Sequence, residues 1–466
     1  MDLAPDATTR RITGLVRDFL VDEVLPAEPV LAAQVAATPG DWSFRPVVRH
    51  LQATAKERGL WNLFLPPAGP AGARGGGLTT LQYAPVAELT GYSPRLAPVA
   101  MNCAAPDTGN MELLAHFATP QQRERWLDPL LEGAQRSAFC MTEPAVASSD
   151  ATNIATRIVR DGDEYVVTGR KWFATGAMNP DCGLLVVMGK TDPDAPRHRQ
   201  QSMVLVPRDT PGVTVLRGLT VLGYDDRDHG GHAEIVFDDV RVPASALLGG
   251  EGEGFAMAQA RLGPGRIHHC MRALGTAERA LDLVRERAAE RVAFGSPLAD
   301  RGVVREWLAA ARVEIEALRL LVLKTAWLMD TVGTKAAMTE IQAIKIAVPR
   351  AVGQILDRAV QVFGAAGVSG DHPLAELLAG VRTLRLADGP DEVHLASLGR
   401  AELRRAPYLA RGAEPPAAER PVAARSVAEL PAAGPPVAEP SAAPSASAPP
   451  AAEPPAEPST VEGDPT

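Results

Sequence analysis

Apolar and polar positions along this chain fall into three textures. Residues 1 to about 135 place apolar side chains at helical spacing, residues 136–250 alternate between turn signals, and residues 251–410 return to helical spacing. The first zone predicts helices over 8–24, 44–58, 78–90 and 96–118. Thr119 can cap a further one whose first position Pro120 suits, because a missing N–H costs nothing there. Residues 72–77, with four glycines, read as a loop between two of these helices. No strand precedes them, so they do not form a phosphate cradle.

In the middle zone, Asp161-Gly162-Asp163 lies between the runs 155–159 and 165–168, the signature of a hairpin. Further short strands are expected at 184–188, 202–206, 213–216 and 233–237, enough for a small barrel or sandwich. The third zone predicts long antiparallel helices over 254–292, 303–330 and 335–363, the last kinked at Pro349. From Gly412 onward the chain holds 14 of its 41 prolines and no aromatic residue, so residues 411–466 are expected to be disordered. The fold class is α+β: an N-terminal helical domain over 1–135, a central β-barrel over 136–250 and a C-terminal helical bundle over 251–410.

Composition narrows the function more than the fold. A chain of 466 residues with 46% hydrophobic and 22% charged residues has material for two or three ordinary globular units. The net charge of −9 gives no reason to expect a nucleic-acid partner. Cys103, Cys140, Cys182 and Cys270 are scattered, which fits reduced thiols better than a disulfide framework or a zinc site. The first residues show no basic stretch leading into an apolar run, and no apolar run reaches the roughly 18–20 residues of a membrane span. A cytoplasmic protein is expected.

The candidate chemistry begins with Asp388 in Leu386-Ala387-Asp388-Gly389-Pro390-Asp391-Glu392-Val393-His394. A carboxylate on a tight turn beside exposed N–H groups can take a proton and polarise a carbonyl from one place. Four other segments accompany it: Phe139-Cys140-Met141-Thr142-Glu143-Pro144 running on to Ser148-Ser149-Asp150; Gly169-Arg170-Lys171-Trp172-Phe173-Ala174-Thr175; Gly265-Arg266-Ile267-His268-His269; and the pair Arg291/Phe294 with Gln361/Gly364. Taken singly, each has a plain structural reading: a strand end, a pair of core aromatics, a packed or solvated histidine pair, a surface arginine. His268 and His269 do not suggest a metal, since adjacent residues do not share a helix face.

Together these segments resemble the acyl-CoA dehydrogenases over residues 7–409. The wording of Gly223-Tyr224, His229-Gly230-Gly231-His232, Val240-Arg241-Val242-Pro243 and Gly263-Pro264-Gly265-Arg266-Ile267-His268-His269-Cys270 is most similar to the subgroup of family members 10 and 11, without the kinase-like domain of its larger members. The resemblance implies FAD as cofactor. Phe139, Met141, Thr142 and one of Ser148 or Ser149 would line it, with Ser149 favoured by its place beside Asp150. Ser149, Arg266 and Gly389 would face the substrate.

The resemblance further implies that Trp172 or Phe173 covers the isoalloxazine and that the Thr175 hydroxyl bonds to it. Arg291, Phe294, Gln361 and Gly364 would reach the adenosine diphosphate half of a flavin held mainly by a neighbouring subunit. A guanidinium suits that task because its fork gives two bonds to one anion. Pro390 and Glu392 would lie near the flavin at the start of the last helix. Relatives commonly carry Glu-Gly-Thr where this chain has Asp388-Gly389-Pro390, so the acid is one methylene shorter and a hydroxyl is lost. A positioning error of about 1 Å can cost about 100-fold in rate. Some relatives place their acid where this chain has Gly265, which leaves the role to Asp388.

The implied activity is α,β-dehydrogenation of an acyl-CoA thioester to a trans-2-enoyl-CoA. Asp388 would accept the α-proton and flavin N5 the hydride, with electrons leaving to an electron-transferring flavoprotein. The working unit would be a homodimer or homotetramer. Two alternatives share the pattern: a flavin oxidase of the same fold, resembling the nitroalkane oxidases that also use an aspartate, and a non-catalytic flavoprotein.

Overall fold

A computed structural model describes residues 2–67, 75–407 and 409 of the chain. Part of the glycine-rich loop and the whole 411–466 segment lie outside these residues.

The N-terminal helices are α1 (Ala7–Phe19), α2 (Leu25–Ala37), α3 (Pro46–Glu57), α4 (Thr80–Thr90), α5 (Ala97–Ala100), α6 (Asp107–Phe117), α7 (Pro120–Gln122) and α8 (Asp128–Glu132). Asp6 caps α1, and Thr79 and Thr119 each form a capping box with a glutamine three residues on. The helix expected to end at residue 24 instead continues to Ala37, through a π-turn at Leu20–Val24 that shifts the hydrogen-bond register just before Pro26 and Pro29. The single helix expected over 96–118 is two, α5 and α6. Between them Asn102 adopts φ +52° and Pro106 offers no N–H, so the ladder cannot run through.

The middle region is an eight-stranded mixed sheet: β1 (Arg136–Cys140), β2 (Arg157–Asp161), β3 (Glu164–Thr175), β4 (Cys182–Lys190), β5 (Gln201–Pro207), β6 (Val213–Leu219), β7 (His232–Pro243) and β8 (Leu247–Leu248). Its order is β6-β7-β3-β2-β4-β5-β8, with β1 parallel to β4. The hairpin at Gly162 joins β2 and β3 in antiparallel register, Asp161 opposite Glu164. Strand β4 is apolar along its length because both faces are covered. Leu184, Val186 and Met188 join the core shared with the helices, while Leu185 and Val187 join a second core enclosed by the sheet itself.

The C-terminal helices are α9 (Gly254–Glu290), α10 (Gly302–Val332), α11 (Met338–Phe363), α12 (Leu374–Thr383) and α13 (Asp391–Leu403); the short strands β9 (Val292–Ala293) and β10 (Ser296–Pro297) sit between α9 and α10. Helix α9 runs through Pro264 and α11 through Pro349. Glycines bring α4 and α9 to near backbone contact: a Cβ on Gly91 would lie 1.9 Å from the Arg272 carbonyl oxygen, and one on Gly275 would lie 1.8 Å from that of Glu88. This crossing holds α9, which carries half of the site, against the N-terminal helices.

Candidate active site

The turn after α12 places Asp388 in the left-handed region at φ +56°, with Gly389 following at +102°. A non-glycine residue at positive φ is strained and persists where its surroundings hold it. Here Arg266 Nε donates to the Asp388 carbonyl at 3.0 Å and His394 Nε2 lies 3.2 Å from the same oxygen. Below the turn, Lys345 donates to the Leu384 carbonyl, while Asp391 at the start of α13 accepts from Arg350 (2.9 Å) and Arg385 (2.8 Å). A Cβ on Gly389 would come within 3.0 Å of His394 Nε2, so the glycine is needed for reach as well as for backbone angle.

The carboxylate itself is left available. The nearest ionisable side chain is that of His269, whose Nε2 lies 3.6 Å away, beyond hydrogen-bond distance, and the Asp388 side chain retains 18% exposure. Gly265 faces it from α9, where an added Cβ would sit 3.5 Å from Asp388 Oδ2. The missing side chain there keeps the space in front of the carboxylate open.

Three residues on α9, Arg261, Gly265 and His269, line one face of this chamber at i, i+4 and i+8. Arg261 lies over the Phe139 ring at 4.1 Å and donates to Asn110 Oδ1 (2.9 Å) and to the Pro106 carbonyl. Asn110 is itself fixed by the Ser137 hydroxyl, which donates to the buried Asp107. Burial pulls the Arg261 and Arg266 guanidiniums below their ordinary values, opposed by the charge of Asp388. His269 is held down to about 4 by burial against the pull of Asp388, and His394 to about 4 by burial and then by Arg266 and Lys345. Both imidazoles are therefore neutral near pH 7, and the fixed positive charge of the chamber comes from Arg261, Arg266 and Lys345. Behind Arg261, Glu112 has its carboxyl pushed up to about 8 by burial.

His268 and His269 point apart. His268 packs edge-on against Tyr83, with ring centroids 5.1 Å apart, while His269 faces the acid. The sequence reading gave neither a part in the site. Arg261, Lys345 and His394 were missed as well, although Arg261 and His269, eight residues apart, share one helix face with Gly265 between them, which was a visible signal.

The strand residues form a second wall. Lys171, fully buried, donates to the Met141 carbonyl (2.9 Å) and to Glu143 (2.8 Å), and Glu143 accepts from the N–H groups of Ala155 and Thr156. This pins the 141–156 loop beside β3, where Trp172 N–H donates to the Thr142 carbonyl at 3.0 Å. Ser148 is engaged by its own loop, its hydroxyl accepting from Glu143 N–H, while Ser149 is exposed. Phe173 sits at φ +50° with 43% exposure, its ring 5.0 Å from that of Trp172. Trp172 Nε1 is buried with no hydrogen-bond partner. Thr175 bonds to His232 at 2.9 Å. An exposed, strained aromatic beside an unpartnered indole N–H is what a planar ligand with polar edges would complete.

The remaining predicted residues lie at the outer edge. Arg291 ends α9 with an exposed side chain, Phe294 is fully exposed at φ +51°, Gln361 is exposed near the end of α11, and Gly364 follows at φ +64° with open space around it. Pro390 caps α13, and Glu392 is exposed in its first turn. Among the described residues no group of acids, histidines and cysteines is arranged to hold a metal ion, and no helix is long and apolar enough to cross a membrane.

Fold and chamber together define a class, the acyl-CoA dehydrogenases. The chain belongs to this family of oxidoreductases: its residues 6–134, 138–240 and 252–403 match the family's N-terminal, middle and C-terminal domain models in turn. It is 56% identical to Probable acyl-CoA dehydrogenase FadE2 of Mycobacterium tuberculosis over 87% of this chain and 98% of that protein. It is 52% identical to acyl-CoA dehydrogenase family member 11 of Gallus gallus over 83% of this chain, but spans only 49% of that protein's length. Among solved structures, butyryl-CoA dehydrogenase from Megasphaera elsdenii matches with a TM-score of 0.72 at 28% identity, covering 87% of this chain and all of that one.

Proposed function

We propose that this protein is an FAD-dependent acyl-CoA dehydrogenase that converts an acyl-CoA thioester to the trans-2-enoyl-CoA, with Asp388 as the base. The observation that carries the reading is the held turn: Asp388 is anchored through its carbonyl by Arg266 and His394 while its carboxylate is left unpaired, facing the space that Gly265 opens. A base fixed by its backbone rather than its carboxylate can meet the substrate α-proton without first giving up a bond. The shorter aspartate is compensated by the turn geometry and by the absent side chain at Gly265. The guanidiniums of Arg261 and Arg266 favour a developing enolate oxygen. Arg266, Gly389 and Ser149 are proposed to face the thioester.

The wall residues fit FAD. Phe139, Met141, Thr142, Ser148 or Ser149, Trp172, Phe173 and Thr175 would hold the isoalloxazine half. Arg291, Phe294, Gln361, Gly364, Pro390 and Glu392 would hold the remainder, partly across a subunit boundary in a dimer or tetramer. When bound, FAD supplies the hydride acceptor, and an electron-transferring flavoprotein is the proposed onward acceptor. Phe173 and Trp172 exclude water from the reacting face.

The test is anaerobic titration of the yellow protein with acyl-CoA thioesters of graded length. Wild type should bleach, and Asp388→Asn should keep its flavin without bleaching. A variant that bleaches at the wild-type rate removes Asp388 from the reaction. Rapid peroxide formation in air would favour the oxidase, and thioester binding without bleaching of the wild type a non-catalytic flavoprotein.

A further inference from the structure

The His229-Gly230-Gly231-His232 segment has no part in the function proposed above, yet it reaches the site. His232 opens β7 opposite Thr175, the last residue of β3. His232 Nδ1 lies 2.9 Å from Thr175 Oγ1, and Nε2 lies 3.3 Å from Asp226 Oδ2; the other Asp226 oxygen is 2.7 Å from His229 Nδ1. Thr175 has no other side-chain hydrogen bond among the described residues. The array is built rather than incidental. Asp226 sits at φ +51°, held by Gly231 N–H on its carbonyl at 2.9 Å, and Gly231 returns its own carbonyl to Gly176 N–H at 2.8 Å. Gly230 and Gly231 pass so close to Asn179 and Trp42 that a Cβ on either would come within 2.8 Å and 2.3 Å of them.

The polarity of this chain follows from valence. A carboxylate only accepts, so the proton of a neutral His232 belongs on Nε2, beside Asp226. Nδ1 is then a bare acceptor, and the Thr175 hydroxyl must donate to it. The charges around the array support this assignment. Burial raises Asp226, but the hydrogen bond from His229 and the charge of Arg95 act against it and its carboxyl lies below the ordinary value, while burial holds His232 below its ordinary value against the pull of Asp226. Arg95 is itself paired with Asp228 and Glu376.

We propose that Asp226 and His232 act as positioning residues that turn Thr175 into a hydrogen-bond acceptor toward the flavin ring, so that the site favours the reduced cofactor over the oxidised one. This rests on the reading that Thr175 faces the isoalloxazine. A threonine whose proton is engaged behind it can only accept from the front. Reduced isoalloxazine presents a ring N–H where the oxidised ring presents a lone pair, so an acceptor at that edge rewards one state and opposes the other.

Redox titration of the flavin-loaded protein tests this, with His232→Leu introduced into the wild-type and Thr175→Val backgrounds. Releasing the Thr175 proton should lower the ratio of reduced to oxidised flavin affinity by about tenfold, the effect of one reoriented hydrogen bond. In the Thr175→Val background the same change should have no effect. An unchanged potential, or an equal shift in both backgrounds, overturns the proposal. Nitrogen-15 histidine spectra of the wild-type protein give a second readout that needs no variant: His232 should carry its proton on Nε2, and an Nδ1–H tautomer overturns the relay. A protein that stays colourless with added dinucleotide would fail the flavin reading itself, whereas a yellow protein lacking the coupling would fail only this one.

Discussion

The chamber around Asp388 and the edge carrying Arg291, Phe294, Gln361 and Gly364 differ in how much of each this one chain completes. In the chamber, nearly every polar group has a partner: Arg266 and His394 on the Asp388 carbonyl, Arg261 on Asn110, Asp391 between two arginines. Among the described residues the Asp388 carboxylate accepts no hydrogen bond and faces the space in front of Gly265. At the edge the position is reversed. Among the described residues the Arg291 and Gln361 side chains make no hydrogen bond or ion pair, and the fully exposed Phe294 has the Arg301 guanidinium 5.9 Å from its ring centre. An unpaired carboxylate facing open space in a site whose neighbours are mostly paired marks where chemistry is done, while a set of unpaired groups on a surface marks where something else docks.

The largest effect should come from breaking the chamber at the Asp388 carboxylate. Asp388→Asn removes the base without changing shape, and flavin reduction by acyl-CoA in stopped flow should slow by about 10²–10⁴-fold. Next, Arg266→Met removes the bond to the Asp388 carbonyl and frees the turn. A displacement of about 1 Å should slow the same step by about 100-fold, with flavin content unchanged; a normal rate would mean that the turn holds itself.

The edge should respond differently. Arg291→Glu should weaken FAD binding by about tenfold or more, as expected for loss of a charge-assisted bond, while monomer stability in urea stays within about 0.5 kcal/mol of wild type. Unchanged flavin retention would break the contrast between the two regions.

The smallest effect is on pH dependence. His269 and His394 each have folded values lowered to about 4 from an ordinary 6.5. Well above pH 6.5 both are almost fully deprotonated in either state. As pH falls from 6.5 towards 4 the unfolded chain takes up protons that the folded chain refuses, so stability is lost across that window. Urea midpoints between pH 7 and pH 4.5 should fall less steeply in His269→Gln than in wild type, and equal slopes would mean that His269 is not held neutral.

Local pattern alone was enough for the helix–sheet–helix order, the hairpin at Gly162, the cap at Thr119 and the candidacy of Asp388. Each of these depends on residues near one another in the chain, where periodicity, turn chemistry and motif spacing act. What the tertiary structure decided is of another kind. His269 and not His268 faces the acid because α9 is rotated by its close crossing with α4 at Gly91 and Gly275. Arg261 joins the chamber because Asn110 and Pro106, some 150 positions earlier, fix its guanidinium over Phe139. The helix expected over 96–118 breaks because Asn102 and Pro106 override an otherwise helical pattern. His232 reaches Thr175 through the pairing of β7 with β3. A side chain's direction is set by packing against elements distant in sequence, and desolvation, which holds His269 and His394 neutral, exists only once those elements have come together.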